Sequence, residues 1–158
     1  MKVFISHKQE DSEVAKRLAL MLRLNDTESY LDVLDPTVAG DGKQLTDHIK
    51  QALNTCTDIL VVMSEKTRFS QWVPFEIGMA AQSNMPTVTY LSAEVTLPDF
   101  LSYWPRLKTV SDVDKYVKTR KETHDQIERR YAGRYVMASS RKAEETHTFY
   151  ENLKSALR

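Results

Sequence analysis

The sequence predicts an α/β fold, namely a flavodoxin-like five-stranded parallel sheet of order 2-1-3-4-5 flanked by helices, with a helical C-terminal extension. Short apolar segments alternate with segments whose apolar residues recur at helical spacing, which is typical of parallel strands joined by crossover helices. The segment from Asp58 to Met63 is almost continuously apolar, as expected of a strand buried on both faces.

The first four strands are predicted at residues 2–6, 29–34, 58–63 and 87–91, and a fifth at residues 107–110. Three helices fill the intervals between the first four strands. The first begins at Asp11 or Ser12, both favourable N-cap residues, and runs to Leu24. The second follows a loop over residues 35–42 that contains one proline and two glycines. The third covers residues 72–84, where Pro74 suits the first turn because its missing N–H is not needed there.

The pattern changes after residue 110. Ser111 and Asp114 have the spacing of a capping box, which predicts a long charged helix to about residue 131. Gly133 is expected to end it, and a last helix is predicted over residues 143–157. We therefore expect residues 1–110 to form the α/β core and residues 111–158 to form helices packed on the same domain.

Composition narrows the function classes. The 158 residues include 22 Lys+Arg and 22 Asp+Glu, whereas a nucleic-acid binder is usually basic. No apolar run approaches the roughly 20 residues of a membrane span. The N-terminal segment, residues 1–6, is too short to be a signal peptide. Cys56 is the single cysteine and permits no internal disulfide, which fits a reducing compartment. We expect a cytoplasmic protein that binds neither nucleic acid nor membrane.

The carboxyl ends of parallel strands form one rim, where open α/β sheets bind ligands. The predicted rim carries hydroxyl, imidazole, ammonium and carboxylate groups, contributed by Ser6, His7, Lys8, residues 32–35, Ser64 and Glu65. The third helix begins at this rim, and its Trp72 and Glu76 are four residues apart and share a face. A large aromatic ring beside a carboxylate suits chemistry on a flat, cationic ring attached to a sugar.

Each of these residues also has a simpler interpretation. A glutamate early in a helix often interacts with the helix dipole alone, and a tryptophan near a helix start is usually part of the core. Lys8 is as well explained as a solvated surface lysine, and Asp32 as a loop-capping carboxylate.

Four segments in the same order resemble motifs of the TIR (Toll/interleukin-1 receptor) domain family, in particular its bacterial NAD-consuming members. The resemblance covers about residues 3–110. The segment of residues 3–8 is similar to the first box of the family, and residues 30–33 with the loop after them are similar to the second box and BB loop. Residues 60–64 are similar to the next strand, and residues 70–76 to the catalytic helix. Tyr103 and Trp104 faintly resemble the third box.

The resemblance implies that Glu76 is catalytic and that His7, Lys8, Asp32 and Trp72 bind substrate; Ser6 is the further rim residue expected in the site. The implied reaction breaks the nicotinamide–ribose bond of NAD through an oxocarbenium-like transition state. Water would then give ADP-ribose, and an internal nucleophile would give a cyclic ADP-ribose isomer. NAD is the substrate, and no cofactor or metal is expected.

Stand-alone TIR proteins of this kind are similar to the signal-producing TIR component of Thoeris anti-phage defence, in which the cyclic product activates a partner effector. Family members often self-associate. Two alternatives stay open: a non-enzymatic TIR interaction module that binds through the 35–42 loop, and a nucleoside hydrolase or deoxyribosyltransferase. The four glycines fit neither a G-x-G-x-x-G fingerprint nor a P-loop, and the scattered histidines show no zinc-site spacing.

Overall fold

A computed structural model describes residues 1–31, 42–92, 94–97 and 99–158. Within these residues the chain forms a parallel sheet of five strands in the order β2-β1-β3-β4-β5. The predicted fold class and strand order are therefore confirmed. The strands are β1 Lys2–Ser6, β2 Glu28–Leu31, β3 Asp58–Met63, β4 Thr87–Leu91 and β5 Arg106–Leu107.

Helices cover both faces of this sheet. They are α1 Ser12–Leu24, α2 Gly42–Asn54, α3 Trp72–Gln82, α4 Val110–Tyr131 and α5 Ala138–Ala156. Short 3-10 helices at Gln9–Asp11, Thr67–Phe69 and Asp99–Leu101 lie in the loops. In this part of the chain, none of the helices combines the length and the apolar character needed to cross a membrane.

The strand alternation divides the core into two layers. Phe4, Val61 and Met63 belong to the apolar cluster that packs with α2 and α3. Ile5 and Val62 point the other way, into a cluster shared with α1, α4 and α5. Every residue of β3 is buried, as its apolar composition predicts for a central parallel strand.

The last helix is part of the second layer. Phe149 and Leu153 of α5 are fully buried in that cluster, and the Tyr150 hydroxyl accepts a hydrogen bond from the Thr87 N–H at 2.9 Å. Burying a phenylalanine or leucine side chain contributes about 1.5–3 kcal/mol, so this contact area holds α5 firmly on the sheet. The division into segments at residue 110 stays a prediction.

The predicted fifth strand and the start of α4 are corrected. Val110 begins α4 rather than ending β5. The N-cap is Thr109, whose side chain accepts the Asp112 N–H at 3.2 Å, while Asp112 accepts the Thr109 N–H at 3.0 Å. The predicted pair Ser111 and Asp114 therefore lies two residues too late. The sequence contains two overlapping capping patterns here, Thr109 with Asp112 and Ser111 with Asp114. The first of them forms the N-cap of α4.

Two other boundaries also differ from the predictions. α5 begins at Ala138, five residues before the predicted start. α3 ends at Gln82, and Asn84 beyond it has a φ of 49°, a left-handed conformation that ends a helix and that asparagine tolerates. The predicted end of the second strand, residues 32–34, lies outside the described residues.

A charged cluster joins the amino end of β3 to α4 and α5. The Arg120 guanidinium donates to Asp58 at 2.8 Å and also to Glu145, and His124 Nδ1 lies 2.9 Å from Glu145. Burial raises the pKa of Asp58, although the charge of Arg120 opposes that rise. Burial would also raise the pKa of Glu145, but Arg120 and His124 outweigh it and hold that pKa below its ordinary value.

Candidate active site

A buried carboxylate lies at the carboxyl end of β1. Ser6 follows Phe4 by two residues and therefore points to the same face of the sheet, toward α3. The Ser6 hydroxyl donates a hydrogen bond to Oε2 of Glu76. Ser6 is fully buried and Glu76 is 1% exposed. Since glutamate is almost never fully buried without partners, this contact distinguishes Glu76 from an ordinary helix-surface residue.

The start of α3 sets the position of Glu76. The Ser70 hydroxyl accepts the Val73 N–H at 3.3 Å, which satisfies one of the free N–H groups of the first turn. Trp72 is the first residue of the helix, so Glu76 follows one turn later on the same face. The half-buried Trp72 side chain packs against the apolar cluster between the sheet, α2 and α3. Its ring is edge-on to the Phe75 ring, with 5.8 Å between the ring centroids.

His7 and Lys8 continue from Ser6 along the rim. His7 is 4% exposed, and its Nδ1 lies 3.1 Å from the Ile5 carbonyl oxygen. Because a carbonyl oxygen can only accept, Nδ1 carries the proton in this contact, and Nε2 is the ring nitrogen that can accept from a ligand. Lys8 is half-buried and forms an ion pair with Glu10 at 3.0 Å.

The structure thus brings five of the six predicted site residues to one edge of the sheet. Ser6 and Glu76 are in direct contact, and His7, Lys8 and Trp72 are placed at the same edge by the ends of β1 and the start of α3. Asp32 lies outside the described residues, as does most of the predicted 35–42 loop. The catalytic and binding roles predicted for all six residues stay predictions.

Asp11 occupies the N-cap position of α1, where the sequence predicted the helix to begin, but its side chain has a different role from a cap. It is 8% exposed, and its Oδ2 accepts hydrogen bonds from the hydroxyls of Ser64, at 2.6 Å, and Thr67. The sequence suggested Asp11 as a cap of the first helix, but its side chain caps nothing in α1, all of which the structure describes. Its partners are 53 and 56 residues away in the chain, so no local pattern could have revealed them.

The arrangement can stabilise positive charge. A carboxylate held by a hydroxyl in a buried position interacts more strongly with a developing cation than it would in water. An indole ring on the same helix can stack on a flat cationic ring. Among the described residues, no group of three His, Cys, Asp or Glu side chains is placed to hold a metal ion.

Comparisons with known proteins place the fold and the family. A 2-deoxyribosyltransferase from the psychrotolerant bacterium Bacillus psychrosaccharolyticus has a similar structure, with a TM-score of 0.58 at 11% identity, over 72% of this chain and 90% of that one. At this identity the likeness concerns the fold alone. A search of curated proteins found no match. The sequence matches the family model for the TIR domain over residues 3–130, which extends past residue 110 into most of α4. This chain is therefore a member of the TIR domain family.

Proposed function

We propose that this TIR domain cleaves the nicotinamide–ribose bond of NAD and releases ADP-ribose or a cyclic ADP-ribose isomer. The observation that carries the proposal is the buried Glu76 carboxylate, held by Ser6 at the rim where open α/β sheets bind ligands. Membership of a family that includes NAD-cleaving enzymes supports it.

One carboxylate suffices for this chemistry. Nicotinamide is a cationic ring in NAD and leaves as a neutral molecule, so its departure needs no proton. Positive charge develops on the ribose as the bond breaks. Glu76 would stabilise that charge and hold the ribose hydroxyls, while the hydrogen bond from Ser6 would keep the carboxylate in one orientation.

Other rim residues would bind the rest of the substrate. Trp72 would stack on the nicotinamide ring or its ribose, and His7 would accept a hydrogen bond through Nε2. Lys8 would attract the phosphates, exchanging its Glu10 partner for them. Asp32 would accept hydrogen bonds from ribose hydroxyls.

We further propose that the product is a signal in bacterial anti-phage immunity of the Thoeris kind. A cyclic ADP-ribose isomer made in the cytoplasm would activate a downstream effector protein, and self-association through TIR surfaces would accompany catalysis. Support for this role comes from the resemblance of residues 60–76 to NAD-consuming members of the family.

The first experiment is mass-resolved chromatography of NAD incubated with the protein and with its Glu76→Gln variant. We expect nicotinamide release to fall by about 100-fold or more in the variant, because it loses the charge that stabilises the transition state. The co-product mass then identifies the reaction, since ADP-ribose is one water heavier than its cyclic isomer.

A matched control is Glu145→Gln, which also removes a buried glutamate charge but lies with Arg120 and Asp58 beyond the opposite end of β3. It should retain activity at temperatures where it is folded. Equal activity of Glu76→Gln and the unmodified protein would remove Glu76 from the mechanism.

The same assay decides between the alternatives. Turnover of free nucleosides in preference to NAD would favour a nucleoside hydrolase or deoxyribosyltransferase. A protein that is inert toward both substrates at high concentration, and that still binds other TIR domains, would favour an interaction module.

A further inference from the structure

Asp11 occupies the N-cap position of α1 without acting as a cap. An aspartate at this position normally accepts a hydrogen bond from an N–H group of the first turn and stabilises the helix. Here the carboxylate is turned instead toward the loop between β3 and α3, residues 64–71. The chain thus forgoes a local stabilisation in favour of a contact between distant segments.

Further hydrogen bonds extend from this contact along the loop. Oδ2 of Asp11 accepts from the Ser64 and Thr67 hydroxyls, and the Ser64 oxygen in turn accepts the N–H groups of Lys66 and Thr67 at 3.1 and 3.2 Å. The Ser70 N–H donates to the Thr67 carbonyl at 2.9 Å. The Ser70 hydroxyl then accepts the Val73 N–H in the first turn of α3. A continuous series of hydrogen bonds therefore runs from Asp11 to the helix that carries Trp72 and Glu76.

Asp11 is equally tied to the end of β1. Its own N–H donates to the Lys8 carbonyl at 2.8 Å, which closes the turn that follows Ser6 and His7. One residue thus links both sides of the candidate site, with its backbone on the β1 side and its carboxylate on the α3 side.

We propose that Asp11 is a positioning residue that holds Trp72 and Glu76 in register with Ser6 at the end of β1. Hydrogen bonds to a charged acceptor are about twice as strong as neutral ones, and the buried setting strengthens them further. For its effect on turnover, the proposal rests on the proposed NAD cleavage. Its effect on the position of Trp72 can be measured without any substrate.

The test uses Trp72 as the reporter. The chain has two tryptophans, so the second one, Trp104, which is 6% exposed, is first replaced by phenylalanine. All measurements are made in this Trp104→Phe background. Acrylamide quenching of the remaining fluorescence then measures the accessibility of Trp72. Three substitutions are compared in this background: Asp11→Ala, Asp11→Asn and, as a matched control, Asp112→Ala. Asp112 also accepts two hydrogen bonds at a helix start, but at α4, which follows the edge strand β5, and β3 and β4 separate that strand from β1. It therefore matches the loss of a helix-start carboxylate without contacting Ser6 or α3.

We expect Asp11→Ala to raise the quenching constant of Trp72 and to lower kcat for nicotinamide release by about 100-fold, the loss typical of a displacement near 1 Å. Asp11→Asn keeps the shape of the side chain and one acceptor oxygen but removes the charge, so it should restore part of both values. Asp112→Ala should change neither value at a temperature where all variants are folded by circular dichroism.

Unchanged Trp72 quenching in folded Asp11→Ala would overturn the proposal, as would Asp11→Asn behaving like Asp11→Ala in quenching. If the unmodified protein releases no nicotinamide, the proposed function fails. The quenching comparison still decides the role of Asp11 in that case, because it needs no NAD.

Discussion

Ser6 shows how a single position in a strand links the fold to the candidate site. Because side chains alternate along β1, Ser6 faces α3 together with Phe4, while Ile5 faces the opposite core layer. A hydroxyl at this position meets the Glu76 carboxylate in the protein interior. An apolar side chain there would leave a buried carboxylate with one donor fewer.

We predict that Ser6→Ala lowers kcat for NAD cleavage by about 10- to 100-fold, because a hydrogen bond to a charged group contributes about 1.5–3 kcal/mol. Steady-state kinetics of nicotinamide release would measure the loss. Thr89→Val is the control, since the Thr89 hydroxyl is buried without a hydrogen-bond partner among the described residues. A kcat in Ser6→Ala equal to that of the control would mean that Ser6 does not orient Glu76.

The outcome at these residues shows what sequence can and cannot reveal about a site. Trp72 and Glu76 could be assigned together because helical spacing alone puts them on one face, and the rim rule for parallel sheets places that face near Ser6. Asp11 or Ser12 was expected to cap the first helix because both are favourable N-cap residues, and Asp11 does lie at that position without capping through its side chain. Its carboxylate instead binds hydroxyls that only the folded sheet brings near.

At the scale of elements, the start of α4 shows how local signals compete. Two overlapping patterns, beginning at Thr109 and at Ser111, each have an aspartate three residues later. The first is used because β5 ends at Leu107, and a helix that begins at Val110 buries Val113 and Tyr116 on the sheet. Strands β1, β3 and β4 have the predicted bounds because their buried residues give a clearer signal, whereas β5 has two residues and was placed too far along the chain.

We predict that Thr109→Ala lowers the free energy of unfolding by about 1 kcal/mol, the usual contribution of an N-cap side chain. Ser111→Ala should leave the unfolding free energy within about 0.5 kcal/mol of its original value, as is usual for exposed positions. Urea unfolding followed by circular dichroism would measure both. A larger loss in Ser111→Ala than in Thr109→Ala would place the cap where the sequence alone suggested it.

The whole molecule is held together at one end by the cluster of Asp58, Arg120 and Glu145, which joins the sheet to α4 and α5. Removing one partner of a buried charged group is strongly destabilising because the others lose their compensation. Burial alone would raise the pKa of Glu145, but its interactions with Arg120 and His124 outweigh burial and hold the pKa below its ordinary value. The folded protein therefore binds a proton at Glu145 less readily than the unfolded chain does, and this difference stabilises the fold.

That stabilisation depends on pH in a definite direction. It is fully present above the unfolded pKa of a glutamate, about 4.3, and is lost as the pH falls through the lower value in the folded protein. We predict that the difference in Tm between the unmodified protein and Glu145→Gln is largest near neutral pH and becomes smaller below about pH 4. Thermal denaturation of both proteins across this range would test it. Asp58 is present in both proteins, so its own titration does not distinguish them. A difference in Tm that increased on acidification would contradict the lowered pKa of Glu145.

The interior position of β1 in the sheet has a consequence for the order in which the strands can pair. β1 is the first strand in the chain, yet it lies between β2 and β3 in the sheet, and its Val3 must find Asp58. Pairing over such a separation closes a long loop and is slow compared with helix formation. Before β3 pairs with β1, one edge of β1 has unpaired N–H and C=O groups, which can pair with another chain. The risk of pairing with another chain is therefore greatest early in folding, when β1, an interior strand of the finished sheet, is still an edge strand.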